Sequence, residues 1–439
     1  MITVLLDKAE FEYDIHSLVK AFYPKEEVYV STKDKEKKEE PVHYHMDVQF
    51  APEEIIFSWK KVEPSEENEN QTGITKRVAV DDTNRKETKN SLKRTLYQLL
   101  SEYTGVELPW GNLTGIRPTK IPMALLEEGK SEEEIARYMK ETYFTSDEKI
   151  KLSIEIAERE LELLHKLDYE EGYSLYIGIP FCPTTCLYCS FTSYSMSAWK
   201  NRMDDYLSAL EKELDYTAVK FAHKKLNSIY IGGGTPTTLN PQQLDRLIRK
   251  IKCSFDLSDL VEFTVEAGRP DSITREKLMV LRNHGISRIS INPQTMKQET
   301  LDLIGRHHTV QQTIDSFNLA RELGFDNINM DLIVGLPGES LSDVADTMEV
   351  IRKLAPDNLT VHSLAIKRAA RLNIQRERYQ DFEIVNTADH IALTSKVAEE
   401  MGLSPYYLYR QKNMAGNFEN VGYACLLYTS PSPRDMRRS

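Results

Sequence analysis

The chain has 439 residues, 40% of them hydrophobic and 28% charged, and that length predicts two or three domains rather than one core. Its net charge of −12, from 56 basic and 68 acidic residues, argues against a nucleic-acid partner, because no basic stripe stands out, although a local basic pocket remains compatible with it. Five unevenly spaced cysteines form no disulfide framework, no apolar run has the length of a membrane span, and the opening "MITVLLDKAEFEYD" lacks the parts of a signal peptide, so the expected compartment is the reducing cytoplasm.

In chain order, four strand-like runs come first: "ITVLL", "EEVYVST", "HYHMDVQF" and "EEIIFSW". Two charge-rich breaks, "TKDKEKKEE" and "EPSEENENQTG", read as solvated loops. From Asn90 to Lys166 the period is helical, interrupted by "ELPWGNLTGIRPTKIP", which is too rich in glycine and proline for a helix. Residues 1–105 are therefore expected to form an N-terminal α+β accessory domain, and 106–170 a helical connector. His43 and His45 stand two apart on the third run and face one side; a surface strand explains them better than a metal or haem site.

After Glu171 strand and helix alternate. The strand candidates are 174–179, 228–233, 261–267, 287–292, 327–335 and 359–365. Helical segments occupy 201–224, 240–253, 271–284, 308–323, 340–354 and 383–402. Such alternation predicts βα units and a parallel sheet. The fold class is α/β, and six units over 171–375 fit a partial (β/α)6 TIM-like barrel better than a Rossmann sheet. Residues 376–424 follow as a post-barrel region.

Three of the five cysteines fall in 176-YIGIPFCPTTCLYCSF-191, directly after the first of these strands. Cys182, Cys186 and Cys189 have the spacing C-x-x-x-C-x-x-C. Three thiolates in one loop can hold three irons of a [4Fe–4S] cluster, leaving the fourth iron free for a substrate. Structural zinc is the plainer alternative, but it wants four ligands, and Cys253 and Cys425 lie far along the chain. Cys253, ending an amphipathic helix, reads as a core residue. The second element is 230-YIGGGTPTTL-239, a strand running into three glycines where backbone can approach a ligand closely. No Gly-Lys-Ser/Thr follows, so it is not a Walker loop.

With these two elements on adjacent strands, the chain resembles the radical S-adenosylmethionine (SAM) enzymes. It is most similar to the oxygen-independent coproporphyrinogen III oxidase (coproporphyrinogen dehydrogenase) family, in the branch with a long N-terminal extension, from about Pro109 to Ala424. The resemblance implies a radical SAM partial barrel with its cofactors, a [4Fe–4S] cluster and SAM, at the C-terminal ends of the strands. It assigns the cluster to Cys182, Cys186 and Cys189. Tyr176 takes the place of a tyrosine beside SAM, and Gly233, Gly234 and Thr235 that of the turn receiving the methionine amino group. Glu266 matches an acid contacting SAM, Gln294 and Arg306 a polar pair around ribose and carboxylate, and Asp331 a ribose ligand. Ala365 closes the adenine side.

The implied reaction is radical oxidative decarboxylation of two propionates of coproporphyrinogen III to vinyl groups, giving protoporphyrinogen IX. The implied partner is a low-potential electron donor such as flavodoxin or ferredoxin. A tetrapyrrole with four carboxylates calls for cations, arginine above all. "AIKRAARLN" supplies Lys367, Arg368 and Arg371 directly after the sixth strand; the "GIRPTK" loop, with Arg117 and Lys120, is a second candidate or a domain-packing loop. "YYLYRQKNMAGNFENVGY" (406–423) resembles the family's post-barrel region and is expected to cover the substrate.

Two departures bear on function. Where the well-characterised oxidases carry a fourth cysteine, two after the third, this chain has Phe191, the form found in haem-trafficking relatives. A haem-binding chaperone that uses the cluster and SAM site without decarboxylation is therefore the alternative reading. The long extension, "NLTGIRPTK" and "YRQKNMAGN" favour the enzyme. After "ENVGYA", residues 425–439 have no helical or strand period and read as a foreign tail on an incomplete C-terminal region, which leaves Cys425 without a role.

Overall fold

A computed structural model describes residues 1–32, 41–62, 73–80, 83–115, 117–167, 171–191, 193–379, 381–411 and 414–425. The two charge-rich loops, apart from their end residues Thr32 and Gly73, and the 426–439 part of the tail lie outside them. Two compact units result: Met1–Ile154 with Arg410–Phe418, and Glu155–Tyr409 with the chain from Glu419 on. The division thus falls within the long helix Asp147–Lys166 rather than at 105 or 170.

The first unit is built on a five-stranded sheet. Its strands are β1 (Ile2–Leu6), β2 (Val28–Thr32), β3 (Tyr44–Phe50), β4 (Glu54–Lys61) and β5 (Ile74–Ala79), in the order β2-β1-β3-β4-β5. Strand β1 alternates buried and half-buried residues, the period-2 pattern of a sheet with one covered face. Helices Glu12–Phe22 and Arg85–Thr104 bring Ile15, Leu18, Leu92 and Leu96 into one core with Ile2, Val4, Phe57 and Trp59. His45 bonds Thr3 Oγ1 at 2.8 Å and Asp47 at 3.1 Å, and His43 lies 3.1 Å from Glu26, so ordinary side-chain partners account for both histidines. In the "NLTGIRPTK" loop, Lys93 donates to Thr114 at 3.1 Å and Arg410 to the Leu113 carbonyl at 2.6 Å.

The second unit is a mixed α/β half-barrel, a curled sheet of eight strands. Strand β6 (Gly172–Ile179) is followed by a short pair, β7 (Phe181–Cys182) and β8 (Tyr194–Ser195). The remaining strands are β9 (Lys225–Gly233), β10 (Glu262–Gly268), β11 (Arg288–Ile291), β12 (Ile328–Val334), β13 (Asn358–Ser363), β14 (Ser404–Tyr409) and β15 (Asn420–Ala424). Six of them, β6-β9-β10-β11-β12-β13, run parallel in chain order. Helices 203–220, 241–254, 275–283, 310–322 and 341–354 connect them or follow them. Three begin with reciprocal capping pairs, Asn240/Gln243, Thr309/Gln312 and Ser340/Asp343, which satisfy the first free N–H groups of the turn.

Within the post-barrel region, segments 404–409 and 420–424 are strands: β15 pairs antiparallel with β13, and β14 with β15. One expectation is corrected here. Cys253 is exposed, not core. Its helix buries Leu244, Leu247, Ile248 and Ile251, and a residue two past Ile251 turns about 200° away from that stripe.

One sheet face is polar along its length. Ser228 donates to Ser174 at 2.8 Å, Thr264 to Glu262 at 2.6 Å, and Thr360 to Asn329 at 3.1 Å. A filled apolar barrel would carry branched hydrocarbons at these positions. Among the described residues no helix is long and apolar enough to cross a membrane.

Candidate cofactor site

The cysteine loop leaves β6 at Ile179 and is tied down from several sides. The Gly234 and Thr235 amides donate to the carbonyls of Ile179 and Phe181 at 2.8 and 2.7 Å. Thr184 Oγ1 donates to Gly305 O at 2.9 Å, and the Leu187 amide to Ile304 O at 2.9 Å. From beyond β13, the Leu372 amide donates to Leu187 O at 2.9 Å and Arg371 Nη1 to Thr185 O at 3.1 Å. The loop and the glycine turn, separated by over forty residues of chain, therefore form one backbone structure.

Glycine at 234 is required by this contact. A Cβ there would meet Phe181 O at 2.6 Å, Ile179 O at 2.8 Å and the Phe181 amide nitrogen at 2.9 Å, and backbone atoms cannot yield as a side chain does. Gly234→Ala is expected to halve, or worse, the iron that the protein retains after anaerobic reconstitution, with its far-UV circular dichroism unchanged. Iron content equal to wild type would show that the turn does not position the loop.

Cys186 is buried, and Cys182 and Cys189 are half-buried. Burial pushes the thiols of Cys182 and Cys189 up, while Arg269 beside the first and Arg306 beside the second pull them down. Thr235 Oγ1 lies 3.6 Å from Cys182 Sγ, and Arg269 Nη1 3.9 Å from Cys186 Sγ. Among the described residues no three His, Cys, Asp or Glu side chains converge on a point where one metal ion would sit. A four-iron cluster asks for something else, since each thiolate binds its own iron and the sulfurs stand apart. Three cysteines in one braced loop, with hydrogen-bond donors on two sulfurs, fit that demand.

Several of the candidates for SAM stand on or beside neighbouring strands of the half-barrel. Tyr176 stacks on Tyr230 with centroids 5.8 Å apart and ring planes 11° apart, and the Tyr230 hydroxyl donates to Glu266. Burial, then the neighbouring Glu266, holds the Tyr230 phenol well above its usual value. Gln294 adopts φ +70°, and its backbone is clipped to β12: its amide donates to Asp331 O at 3.0 Å, and its carbonyl accepts from Ile333 at 2.9 Å. The Gln294 Oε1 atom is buried with no hydrogen-bond partner, an acceptor waiting for a donor.

Asp331 is set by Asn329 at 2.7 Å and His362 at 3.7 Å. Burial alone would raise its carboxyl, but His362, Asn329 and Thr360 outweigh burial and bring it below the ordinary value. Tyr176, Glu266 and Asp331 stand two residues past Ser174, Thr264 and Asn329, respectively, in their strands, so they share that polar sheet face.

Other candidates fall elsewhere. Arg306 is buried, and its guanidinium is spent on Asn292 O at 2.5 Å, Gly268 O at 3.3 Å and Tyr188 at 3.3 Å, behind the cysteine loop. Ala365 lies two residues past β13. Lys367 is half-buried, and burial lowers its ammonium; Arg368 and Arg371 are exposed. Phe191 is 50% exposed beside Cys189. Two residues escaped the sequence reading: Arg269, whose signal is the "GRP" of "VEAGRP", one residue beyond Glu266, and His362, whose Nδ1 lies 3.3 Å from Tyr409 of the antiparallel extension.

Comparison with known proteins bears on the whole arrangement. The radical SAM superfamily profile matches residues 176–351. The oxygen-independent coproporphyrinogen-III oxidase-like protein HemZ of Bacillus subtilis (strain 168) is 43% identical over 343 residues, 77% of this chain and 68% of that protein. Heme chaperone HemW of the same organism is 41% identical over 198 residues, 44% of this chain and 51% of its own. The oxygen-independent coproporphyrinogen III oxidase of Escherichia coli (strain K12) is 34% identical over 196 residues, 45% of this chain and 42% of that one. The chain thus spans about half the length or less of the last two. Among solved structures, coproporphyrinogen III oxidase (HemN) from Escherichia coli matches with a TM-score of 0.49 and 29% identity over 55% of this chain and 56% of that one.

Proposed function

We propose that this chain, which belongs to the oxygen-independent coproporphyrinogen III oxidase-like family of radical SAM proteins, catalyses oxidative decarboxylation of tetrapyrrole propionates, coproporphyrinogen III to protoporphyrinogen IX. Its cofactors are those of the superfamily, a [4Fe–4S] cluster and SAM. When bound, they supply one-electron hydrogen abstraction, chemistry that side chains do not perform.

The observation carrying this reading is the joining of the cysteine loop to the glycine turn beside a polar strand face. In it, Cys182, Cys186 and Cys189 would hold the cluster through their three thiolates. Gly233, Gly234 and Thr235 keep backbone close to the methionine end of SAM, and Tyr176 and Glu266 line the next strands. Asp331, kept ionised by its neighbours, accepts hydrogen bonds from the ribose, and Gln294 offers its unpartnered Oε1. Arg306 braces the loop from behind. Lys367, Arg368 and Arg371 hold propionate carboxylates beside the cluster loop, to which Arg371 is tied by its bond to Thr185. A low-potential donor of the flavodoxin or ferredoxin class delivers the electrons.

The exposed Phe191 favours a second reading, a haem-binding chaperone, because an apolar ring beside the cluster loop suits a planar macrocycle. One anaerobic experiment separates the two. Reconstituted protein with SAM, a reductant and coproporphyrinogen III is expected to form protoporphyrinogen IX. Stoichiometric haem binding with no conversion of the tetrapyrrole would leave the chaperone standing.

A further inference from the structure

Behind the cysteine loop lies an ion pair between a buried arginine and an aspartate that reaches the surface. Arg269, just past β10, is 4% exposed. Its Nε and Nη2 bind the Asp271 carboxylate at 3.0 and 2.7 Å. Its Nη1 faces the loop, donating to Thr184 O at 3.0 Å and Thr184 Oγ1 at 2.8 Å, with Cys186 Sγ at 3.9 Å. The other charged and titratable groups here are Arg306, occupied by backbone carbonyls and Tyr188, and His308, buried with neither ring nitrogen bonded.

We propose that Arg269, oriented by Asp271, is a positioning residue that sets the reduction potential of the cluster through the Cys186 sulfur. The inference rests on the reading that Cys182, Cys186 and Cys189 hold that cluster. The step concerned is entry of one electron into the oxidised cluster from a low-potential donor, which loses one electron; no protein bond forms or breaks. Reduction adds negative charge to the cluster and its sulfurs. A donor N–H and a positive charge at a ligand sulfur stabilise the reduced form more than the oxidised one and raise the potential. Arg269 and Cys186 are both buried, so the interaction between them is screened less than one at the surface. Asp271 fixes the guanidinium and offsets part of its charge. Bracing the loop needs only the two bonds to Thr184; the sulfur contact and the counter-charge make a prediction that bracing does not.

The test is an anaerobic redox titration of the full reconstituted chain, followed by electron paramagnetic resonance of the reduced cluster, with iron measured on each sample. In Arg269→Gln the ratio of reduced to oxidised cluster at a fixed potential is expected to fall about tenfold, a midpoint about 59 mV more negative. Asp271→Asn, which keeps the arginine and removes its counter-charge, is expected to move the midpoint to more positive values. Shifts of opposite sign follow from tuning and not from loss of packing. If Arg269→Gln loads no cluster, the upward shift in Asp271→Asn still decides the matter. An iron-replete Asp271→Asn protein with the wild-type midpoint overturns the inference. Wild-type protein that takes up stoichiometric zinc and no iron overturns the cluster reading itself, a distinct failure visible before any variant is titrated.

Discussion

Serine in place of Cys182, Cys186 or Cys189 is expected to abolish assembly of the four-iron cluster, whereas Cys253→Ser is expected to leave about four irons per chain. The three positions are not interchangeable with other thiols, because the loop that carries them is fixed by backbone bonds to the glycine turn and to Ile304. Serine is a poor iron ligand, and its shorter side chain does not reach where a sulfur sat. Cys253 is exposed on the outer face of its helix, so its loss leaves the loop untouched. Iron and sulfide analysis after anaerobic reconstitution checks the set. Full iron in any one of the three loop variants would remove that cysteine from the ligand set.

Glu266→Ala and Asp331→Ala are expected to weaken SAM binding by about ten- to a hundredfold each, with the cluster and fold retained. A hydrogen bond to a charged group contributes about 1.5–3 kcal/mol, and each 1.4 kcal/mol is a factor of ten. Glu266 is bonded by Tyr230 and Asp331 by Asn329 and His362, so iron content is the control. The acid side of the pH profile carries a sign. Because His362 and Asn329 hold the Asp331 carboxyl below its usual value, it stays charged through the ordinary carboxylate range. Its contribution to SAM affinity is therefore flat between about pH 5 and 8 and is lost only as pH falls further. Equilibrium binding of SAM to the anaerobic protein measures both effects. Wild-type affinity in both variants would mean that β10 and β12 do not line the SAM site.

Much of the half-barrel was legible because its signals are local. The β9 and β12 runs alternate apolar with polar residues, Ile229 and Ile231 about Tyr230, and Ile328, Met330 and Leu332 about Asn329 and Asp331, the period of a strand, and the cysteine spacing lies within one loop. What escaped depends on pairing across the chain. Strands β14 and β15 are short: β15 takes its antiparallel register from β13, about sixty residues earlier, and β14 takes its own from β15. Strand β5, "ITKRVA", alternates with charges and sits beside a charged run, so its period was lost in the composition. The helix Glu12–Phe22 was hidden by aromatic residues that also suit strands. Arg306 kept its place in the motif, yet its guanidinium faces the loop's rear, because a residue's direction follows from the turn that carries it. Arg269 carries a sequence signal, but its partners Thr184 and Cys186 are over eighty residues away in the chain.

The central claim is that this site removes hydrogen from the β-carbon of a propionate. Coproporphyrinogen III deuterated at that carbon, incubated anaerobically with reconstituted protein, SAM and a reductant, tests it most directly. Mass spectrometry of the 5′-deoxyadenosine formed is expected to find one deuterium per molecule, alongside release of CO2, and Cys186→Ser is expected to abolish both. Unlabelled 5′-deoxyadenosine with no CO2, or no SAM cleavage while haem binds tightly, would contradict it.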